Sequence, residues 1–248
     1  MTGASAFAVI SDIHGNLPAL EAVMSDLSRR GITDVVNLGD HASGPLWPAE
    51  TVALLMEQPW TQISGNHERQ LQEDPATHLA SDRFAYERLG RSQMAWLAAR
   101  PATATFRNVV LLTHGSPSSD MVYMLETIEH GRFRLATDSE VRERLGSVSA
   151  EVILCGHSHF PRVVTTGDAR LILNPGSVGL QAFLDPDPTP YVGATGSPHA
   201  RYALVESIRD QWNACHITVP YDHEKAAAQA ERNGFAVWAR ALRTGRAG

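Results

Sequence analysis

The chain has 248 residues, 43% of them hydrophobic, which is enough to bury a substantial core in one large α/β domain or two small ones. Its formal charge of -6 argues against a protein that grips long nucleic acid, because phosphate neutralisation needs a surplus of Lys and Arg. The two cysteines have no paired spacing that would indicate a disulfide framework or a thiolate zinc site. The first apolar stretch stops before Asp12, too early for a signal sequence or a membrane span, so we expect a cytoplasmic protein that binds no membrane.

The first third of the sequence alternates strand-like and helix-like segments. Residues 7–10 predict a buried strand, and Asn16 is a candidate N-cap for a helix that ends near Gly31. Two further strands, predicted at residues 35–38 and 61–63, are each followed by polar residues and a helical pattern. Alternation of this kind favours a layered α/β sheet.

The later strand-like runs come closer together, with fewer helices between them. They fall at residues 109–112, 152–155, 162–165, 171–173, 202–205 and 214–219. This spacing predicts that the second half of the chain is richer in antiparallel sheet.

The stretch 115–150 is the least regular part of the chain between polar clusters. It opens on Ser116-Pro117-Ser118-Ser119, and its later residues predict helices over 122–129 and 138–145. We interpret it as an insertion that caps the site, with the serine loop as a candidate contact for substrate.

Two more segments lie toward the end of the chain. Residues 185–198 carry four prolines and predict an extended loop, because proline donates no ladder hydrogen bond. Residues 224–243 are rich in alanine and predict helix in two pieces separated by Gly234. We expect residues 1–248 to form one domain that includes these additions.

Polar clusters mark the points where apolar runs give way to glycine and charged or imidazole side chains. They are Asp12-Ile13-His14, Gly39-Asp40, Gly65-Asn66-His67-Glu68, His114-Gly115 and Gly156-His157-Ser158-His159. In an extended segment, side chains two apart face the same way, so Asp12 with His14 and His157 with His159 each offer two ligands on one side. Carboxylate, imidazole and amide oxygen without thiolate suit Mn²⁺, Fe²⁺ or Zn²⁺.

Taken in order, these clusters resemble the signature of the calcineurin-like metallophosphoesterases over about residues 7–180. The segment 174–179 and the helix after Asn16 are similar to the compact bacterial and archaeal phosphodiesterase branch of that superfamily. The resemblance implies an α/β fold, specifically a four-layer α-β-β-α sandwich with two mixed β-sheets. It also implies a dinuclear metal centre at the carboxyl ends of the strands.

The resemblance further implies which side chains hold two divalent ions. One ion would be held by Asp12, His14, Asp40 and His159, and the other by Asp40, Asn66, His114 and His157. Asp40 would then bridge the two. Mn²⁺ is the favoured metal, with Fe²⁺, Zn²⁺ or Ni²⁺ as alternatives, and a hydroxide between the ions would attack phosphorus.

His67 is the cluster histidine that the resemblance leaves unassigned to a metal. The resemblance implies that His67 is catalytic, stabilising the transition state or protonating the leaving oxygen. Its neighbour Glu68 either orients it or caps the following helix. His41, directly after the predicted bridge, is interpreted as a group behind the ligands or one that faces solvent.

These features predict metal-dependent hydrolysis of small phosphate esters, most readily phosphodiesters. One alternative is a catalytically silent binding scaffold of the same fold, as a retromer subunit is. Another is a protein Ser/Thr phosphatase, but those enzymes follow the Gly-Asp motif with Asp and Arg, whereas residues 41–45 here read His-Ala-Ser-Gly-Pro. The expected partner is a small phosphate-ester substrate, and assembly into a homo-oligomer is left open.

Overall fold

The computed structural model describes residues 6–186, 190–209 and 211–247. The first of its sheets has five strands, in the spatial order β14 (Gln211–Val219), β13 (Ala200–Ile208), β1 (Phe7–Ile10), β2 (Val35–Asn37) and β3 (Thr61–Gln62). Strands β1, β2 and β3 run parallel, whereas β13 is antiparallel to both of its neighbours. The carboxyl ends of the three parallel strands therefore meet at one edge of this sheet.

The second sheet is also mixed and five-stranded. Its spatial order is β4 (Thr103–Phe106), β5 (Val110–Thr113), β8 (Val152–Leu154), β10 (Leu171–Asn174) and β9 (Arg162–Thr165). The central strands β5, β8 and β10 are parallel, and the outer two are antiparallel to their neighbours.

Eight α-helices lie in the described residues. They are α1 (Leu17–Arg29), α2 (Pro48–Met56), α3 (Asn66–Gln70), α4 (Ala80–Tyr86), α5 (Arg91–Ala98), α6 (Asp138–Leu145), α7 (His223–Arg232) and α8 (Ala236–Thr244). Helix α1 packs on the first sheet and α6 on the second, whereas α7 and α8 pack in a separate cluster with Leu180 and Ala182. As predicted, Asn16 caps α1 by accepting a hydrogen bond from the Ala19 N–H, and Gly234 separates the two C-terminal helices. Within the described residues, no helix combines the length and apolar character needed to cross a bilayer.

The core confirms the predicted four layers. Alternate residues of β1 face opposite ways: Phe7 and Val9 pack against the second sheet, while Ala8 and Ile10 pack against α1. On the far side of the second sheet, α6 packs on its outer face. The order of layers is therefore helix, sheet, sheet, helix.

A third sheet, which the sequence analysis did not predict, lies beside this sandwich. Its four strands are β11 (Ala182–Asp185), β12 (Tyr191–Ala194), β7 (Arg132–Leu135) and β6 (Glu126–Glu129), in that spatial order. The predicted helix over 122–129 is therefore wrong, because residues 122–125 are irregular and Glu126–Glu129 form β6, whereas the predicted helix over 138–145 is confirmed as α6.

The reason for this error is the turn between β6 and β7. The register pairs Glu129 with Arg132, so only His130 and Gly131 connect the strands, and both have positive φ. Two such residues form the turn whose twist matches a tight hairpin. His-Gly is a weak signal for it compared with Asn-Gly.

The predicted loop over 185–198 is partly wrong. Tyr191–Ala194 form β12, which is antiparallel to β11 and pairs with β7 at one position. Pro186 and Pro190 lie just outside the two strands, where a missing N–H breaks no ladder. The part of the predicted loop at residues 187–189 lies outside the described residues.

Candidate metal centre

The predicted ligands come from both large sheets. Asp12, Asp40 and Asn66 follow β1, β2 and β3 of the first sheet, while His114 and His157 follow β5 and β8 of the second. Because the carboxyl ends of these strands face the same end of the sandwich, the side chains converge there. The structure brings all seven predicted ligands and His67 together.

The backbone at this centre is unusual. Five of the predicted ligands have φ between 52° and 67°, namely Asp12, His14, Asp40, His157 and His159. Non-glycine residues seldom adopt this left-handed region, and each such residue costs on the order of 1 kcal/mol or more. Strain of this kind persists where surrounding contacts enforce it, and it collects at functional sites.

A first group of atoms consists of Asp12, His14 and His159. His14 donates its Nδ1–H to the Ser43 carbonyl at 2.7 Å, and His159 donates its Nδ1–H to the Leu180 carbonyl at 2.6 Å. These bonds fix both tautomers, so both Nε2 atoms carry lone pairs. The two Nε2 atoms lie 3.1 Å apart, and Asp12 Oδ1 lies 3.4 Å from His159 Nε2.

This arrangement fits a cation. Lone pairs that face each other at 3.1 Å repel unless a positive charge lies between them. Asp12 Oδ2 is also buried and has no hydrogen-bond partner among the described residues. Buried carboxylate oxygens are normally paired with a hydrogen-bond donor or a metal. These three side chains therefore fit a bound cation.

A second group consists of Asp40, Asn66, His114 and His157. His114 donates Nδ1–H to the Leu38 carbonyl at 2.8 Å, and its Nε2 atom faces Asp40 Oδ2 at 3.2 Å and Asn66 Oδ1 at 3.1 Å. One ligand atom from each of Asp40, His114 and His157 lies within 4.8 Å of the other two. This group also fits a cation.

Asp40 lies between the two groups. Its Oδ2 atom is 3.2 Å from His114 Nε2 in the second group and 3.8 Å from His14 Nε2 in the first. Gly65 packs directly against it, and a Cβ at that position would lie 2.2 Å from Asp40 Oδ1. The glycine of the third cluster is therefore required for close approach.

The protonation states of His14, His157 and Asp40 suit metal binding. Burial and the neighbouring His159 lower the pKa of His14 to about 4, and burial and His114 lower that of His157 to about 3, so both imidazoles are neutral at pH 7. Burial raises the pKa of Asp40, but the charges of His114 and His67 outweigh it and hold that pKa well below its usual range. Burial lowers the pKa of His114, but the charges of Asp40 and Asp12 outweigh this and raise it to about 9. Neutral imidazoles and ionised carboxylates are the forms that bind metal, so a cation held here would displace the proton on His114 Nε2.

His67 is held by a partner that the sequence analysis missed. Its Nδ1 atom lies 2.8 Å from Asp82 Oδ1, and its Nε2 atom points toward Asp40 Oδ2 at 4.0 Å. Burial lowers the pKa of His67, but the charges of Asp40 and Asp82 outweigh this and raise it to about 10. Asp82 lies on α4, fifteen residues from His67 and outside every polar cluster, so no local signal identifies it.

Glu68 takes the second of its two predicted roles and caps α3. Its carboxylate accepts hydrogen bonds from the backbone N–H groups of Gly65, Asp40 and His41 at 2.8 to 2.9 Å. It therefore ties the loop that carries Asp40 to the start of α3. The His41 ring is fully buried beside the same carboxylate, with Nδ1 3.1 Å from Glu68 Oε1, so it does not face solvent.

The segment 174–179 forms the predicted turn. Asn174 donates to the Gly156 carbonyl at 2.7 Å and accepts from the Gly176 N–H at 2.9 Å. Ser177 donates to the Asp12 carbonyl at 2.8 Å. This turn therefore fixes the backbone beside Asp12 and His157.

A cavity of about 610 Å³ opens above the centre. The predicted ligands that line it are His14, Asp40, Asn66, His157 and His159, and His67 lines it as well. Of the predicted serine loop, none of residues 116–119 lines it, whereas residues 121–123, just beyond, do.

Comparison with known proteins supports the interpretation of this fold. A crystal structure of a metallophosphoesterase from Sphaerobacter thermophilus matches with a TM-score of 0.74 and 24% identity, over 96% of this chain and 97% of that one. A candidate diadenosine tetraphosphatase matches with a TM-score of 0.53 and 18% identity, over 89% of this chain and 95% of that one. An uncharacterized protein of Methanocaldococcus jannaschii is 24% identical over 246 residues, which cover 94% of this chain and 95% of the relative.

The family is established by a match to the chain itself. Residues 6–195 match the model of the calcineurin-like phosphoesterase superfamily domain. Members of this superfamily depend on metal, in agreement with the donor groups described above. The chain belongs to the calcineurin-like phosphoesterase superfamily.

Proposed function

We propose that this protein hydrolyses small phosphate esters, most readily phosphodiesters, with two divalent cations, preferably Mn²⁺. Asp12, His14, Asp40 and His159 would hold one cation, and Asp40, Asn66, His114 and His157 the other. The observation that carries the proposal is that two adjacent groups of donor atoms lie at the floor of one cavity, with Asp40 Oδ2 3.2 Å from His114 Nε2 and 3.8 Å from His14 Nε2.

When bound, the cations would supply Lewis acidity toward the phosphoryl oxygens and toward the attacking water. The chain's contribution is to hold the donors before substrate arrives. The Ser43, Leu180 and Leu38 carbonyls fix three imidazole tautomers, and Glu68 fixes the loop that carries Asp40. Such preorganisation removes the cost of reorienting dipoles during the reaction.

His67 is suited to protonate the leaving oxygen. Because Asp82 accepts the Nδ1–H, Nε2 carries the proton that can be donated into the cavity. Asp82 also stabilises the protonated imidazole, so that a proton is available at neutral pH. We assign Asp82 as a positioning residue that acts through His67.

Turnover of bis-p-nitrophenyl phosphate tests the reaction class. We expect hydrolysis that requires added Mn²⁺ and stops when a chelator is added. A catalytically silent scaffold would instead turn over neither this diester nor p-nitrophenyl phosphate with Mn²⁺, Fe²⁺, Zn²⁺ or Ni²⁺, and that result would overturn the proposal.

His67→Ala tests the role of the acid. With methyl phenyl phosphate, an ester with a poor leaving group, kcat should fall roughly 10² to 10⁴-fold. Metal content, measured by elemental analysis, should be unchanged. His223→Ala, a change on α7 outside the cavity, is the matched control and should retain both activity and metal. Loss of metal in His67→Ala would show that His67 is a ligand.

A further inference from the structure

The wall of the cavity above the centre is apolar and exposed. Of the eleven large hydrophobic side chains that are exposed among the described residues, six line this one cavity. They are Leu79, Met121, Val122, Ile128, Leu184 and Val237. Exposed apolar surface gathered in a concave site, rather than scattered, indicates a binding surface for an apolar group.

This apolar surface begins at the predicted ligands. The Tyr123 ring stacks on His157 with centroids 4.5 Å apart, and Phe183 packs edge-on against His159 at 4.9 Å. The ring of Trp238, on α8, packs edge-on against the His14 imidazole with centroids 5.9 Å apart. A group attached to phosphorus at the centre would therefore meet aromatic surface directly.

The charges around the cavity disfavour a substrate with several phosphates. Arg144 is the only Lys or Arg that lines the cavity in the part of the chain the structure describes. Its guanidinium already donates to the Met124 and Glu126 carbonyls at 3.3 and 3.0 Å and to the Thr127 hydroxyl at 2.7 Å. Asp185 lines the same cavity as a carboxylate, which would repel additional phosphate charge, whereas the Glu126 carboxylate there is paired with Arg162 at 2.7 Å.

We propose that the substrate is an ester of a single phosphate whose organic group is an uncharged apolar alcohol, alkyl or aryl. This inference rests on the proposed function, because it assumes that the phosphate is hydrolysed at the floor of the cavity. The volume of about 610 Å³ lies in the range that encloses a small organic molecule.

A series with one constant leaving group tests the preference. The p-nitrophenyl diesters of methyl, butyl and octyl phosphate release the same phenolate, so differences in kcat/KM report binding of the varied group. We expect kcat/KM to rise at least about 10-fold from methyl to octyl, since one fully buried methylene is worth up to about 4-fold. The phenyl ester compares an aryl group with the alkyl groups.

A pair of leucines in the third sheet supplies a matched control. Leu184 on β11 and Leu135 on β7 are 49% and 48% exposed, but only Leu184 lines the cavity. Leu184→Gln should lower kcat/KM for the octyl ester about 5-fold and leave the methyl ester within about 2-fold. Leu135→Gln should change neither.

Several outcomes would overturn the inference. They are equal kcat/KM across the alkyl series, a higher kcat/KM for diadenosine tetraphosphate than for the octyl ester, and equal effects of the two leucine variants. Calorimetric binding of octylphosphonate and methylphosphonate in the presence of Mn²⁺ separates this inference from the proposed function. Tighter binding of octylphosphonate without turnover of any ester would refute hydrolysis and support the apolar site, and equal binding would refute the apolar site.

Discussion

The predicted ligands on the cavity floor are buried polar side chains, whereas the side chains on its wall are exposed apolar ones. Asp40 and His14 are almost wholly shielded from solvent, while Val237 and Leu79 are 61% and 60% exposed. The floor is also strained, because four of the five predicted ligands that line it are left-handed, and none of the six exposed wall residues has positive φ. Both regions reverse the usual burial of residue types, and each reversal costs free energy without a ligand.

This difference separates two kinds of ligand. Converging lone pairs and a buried carboxylate oxygen without a donor are stabilised by cations, whereas exposed apolar surface is stabilised by an apolar molecule. On the two proposals made above, the floor determines the reaction and the wall determines the choice of substrate. Changes to the floor should affect metal and every ester, and changes to the wall should affect only esters with an apolar group.

The largest effect is expected for Asp40→Asn. Because Asp40 faces both groups, the variant should weaken both metals and lower activity roughly 10³-fold or more, since metals supply several kcal/mol of transition-state stabilisation. Elemental analysis and turnover measure the two effects. Asp138→Asn, an exposed change on α6, is the control. Full metal content with unchanged turnover would rule out Asp40 as the bridge.

Two glycine substitutions compare the regions directly. An alanine Cβ at Gly65 would lie 2.2 Å from Asp40 Oδ1, and one at Gly193 would lie 2.6 Å from the Phe183 ring. Gly65→Ala should lose metal and at least about 100-fold in activity toward every ester. Gly193→Ala should keep its metal and lose roughly 5-fold or more toward the octyl ester alone, as overpacking costs about 1 to 3 kcal/mol and each ~1.4 kcal/mol is tenfold. Metal loss in Gly193→Ala would contradict the separation of floor and wall.

Removal of metal should lower thermal stability. An ion at 100 times its Kd stabilises the folded state by about 2.7 kcal/mol. For a chain of this size, that corresponds to a Tm lower by roughly 5 to 10 °C after chelation. Calorimetry of the wild type and of Asp40→Asn should show the shift in the first and little in the second. An unchanged Tm in the wild type would argue against ions held by the floor.

Asp82→Asn should slow only esters whose leaving group needs a proton. It keeps an oxygen near His67 but removes the charge that stabilises the imidazolium, so hydrolysis of methyl phenyl phosphate should slow about 10-fold. Methyl p-nitrophenyl phosphate, whose leaving group needs no proton, should change by less than about 3-fold. Equal losses for both esters would indicate a purely structural role. The control is Asp74→Asn, at a carboxylate that accepts a hydrogen bond from the Ala76 N–H at 2.9 Å.

The floor could be predicted from the sequence because its signals are local. Each predicted ligand lies within a few residues of a strand end, beside a glycine or a second polar residue, and that pattern can be recognised without knowledge of the tertiary structure. The turn at 174–179 and the cap at Asn16 were predictable for the same reason. Asp82 was not, because only the packing of α4 brings it to His67.

The wall could not be predicted because its contacts are not local. The wall is formed by the segment after β5, the third sheet and α8. The sequence around an isolated Leu or Val does not indicate that these segments contact one another. The β6–β7 hairpin depends on left-handed conformations at His130 and Gly131. Prolines near β12 favoured a loop, although in the structure Pro186 and Pro190 lie beside strands rather than within them.

Anomalous diffraction from crystals soaked in Mn²⁺ tests the central claim most directly. We expect two peaks, one among Asp12, His14 and His159 and the other among Asp40, His114 and His157, with Asp40 in contact with both. A single peak, a peak that Asp40 does not touch, or no peak at saturating Mn²⁺, Fe²⁺ and Zn²⁺ would contradict the account.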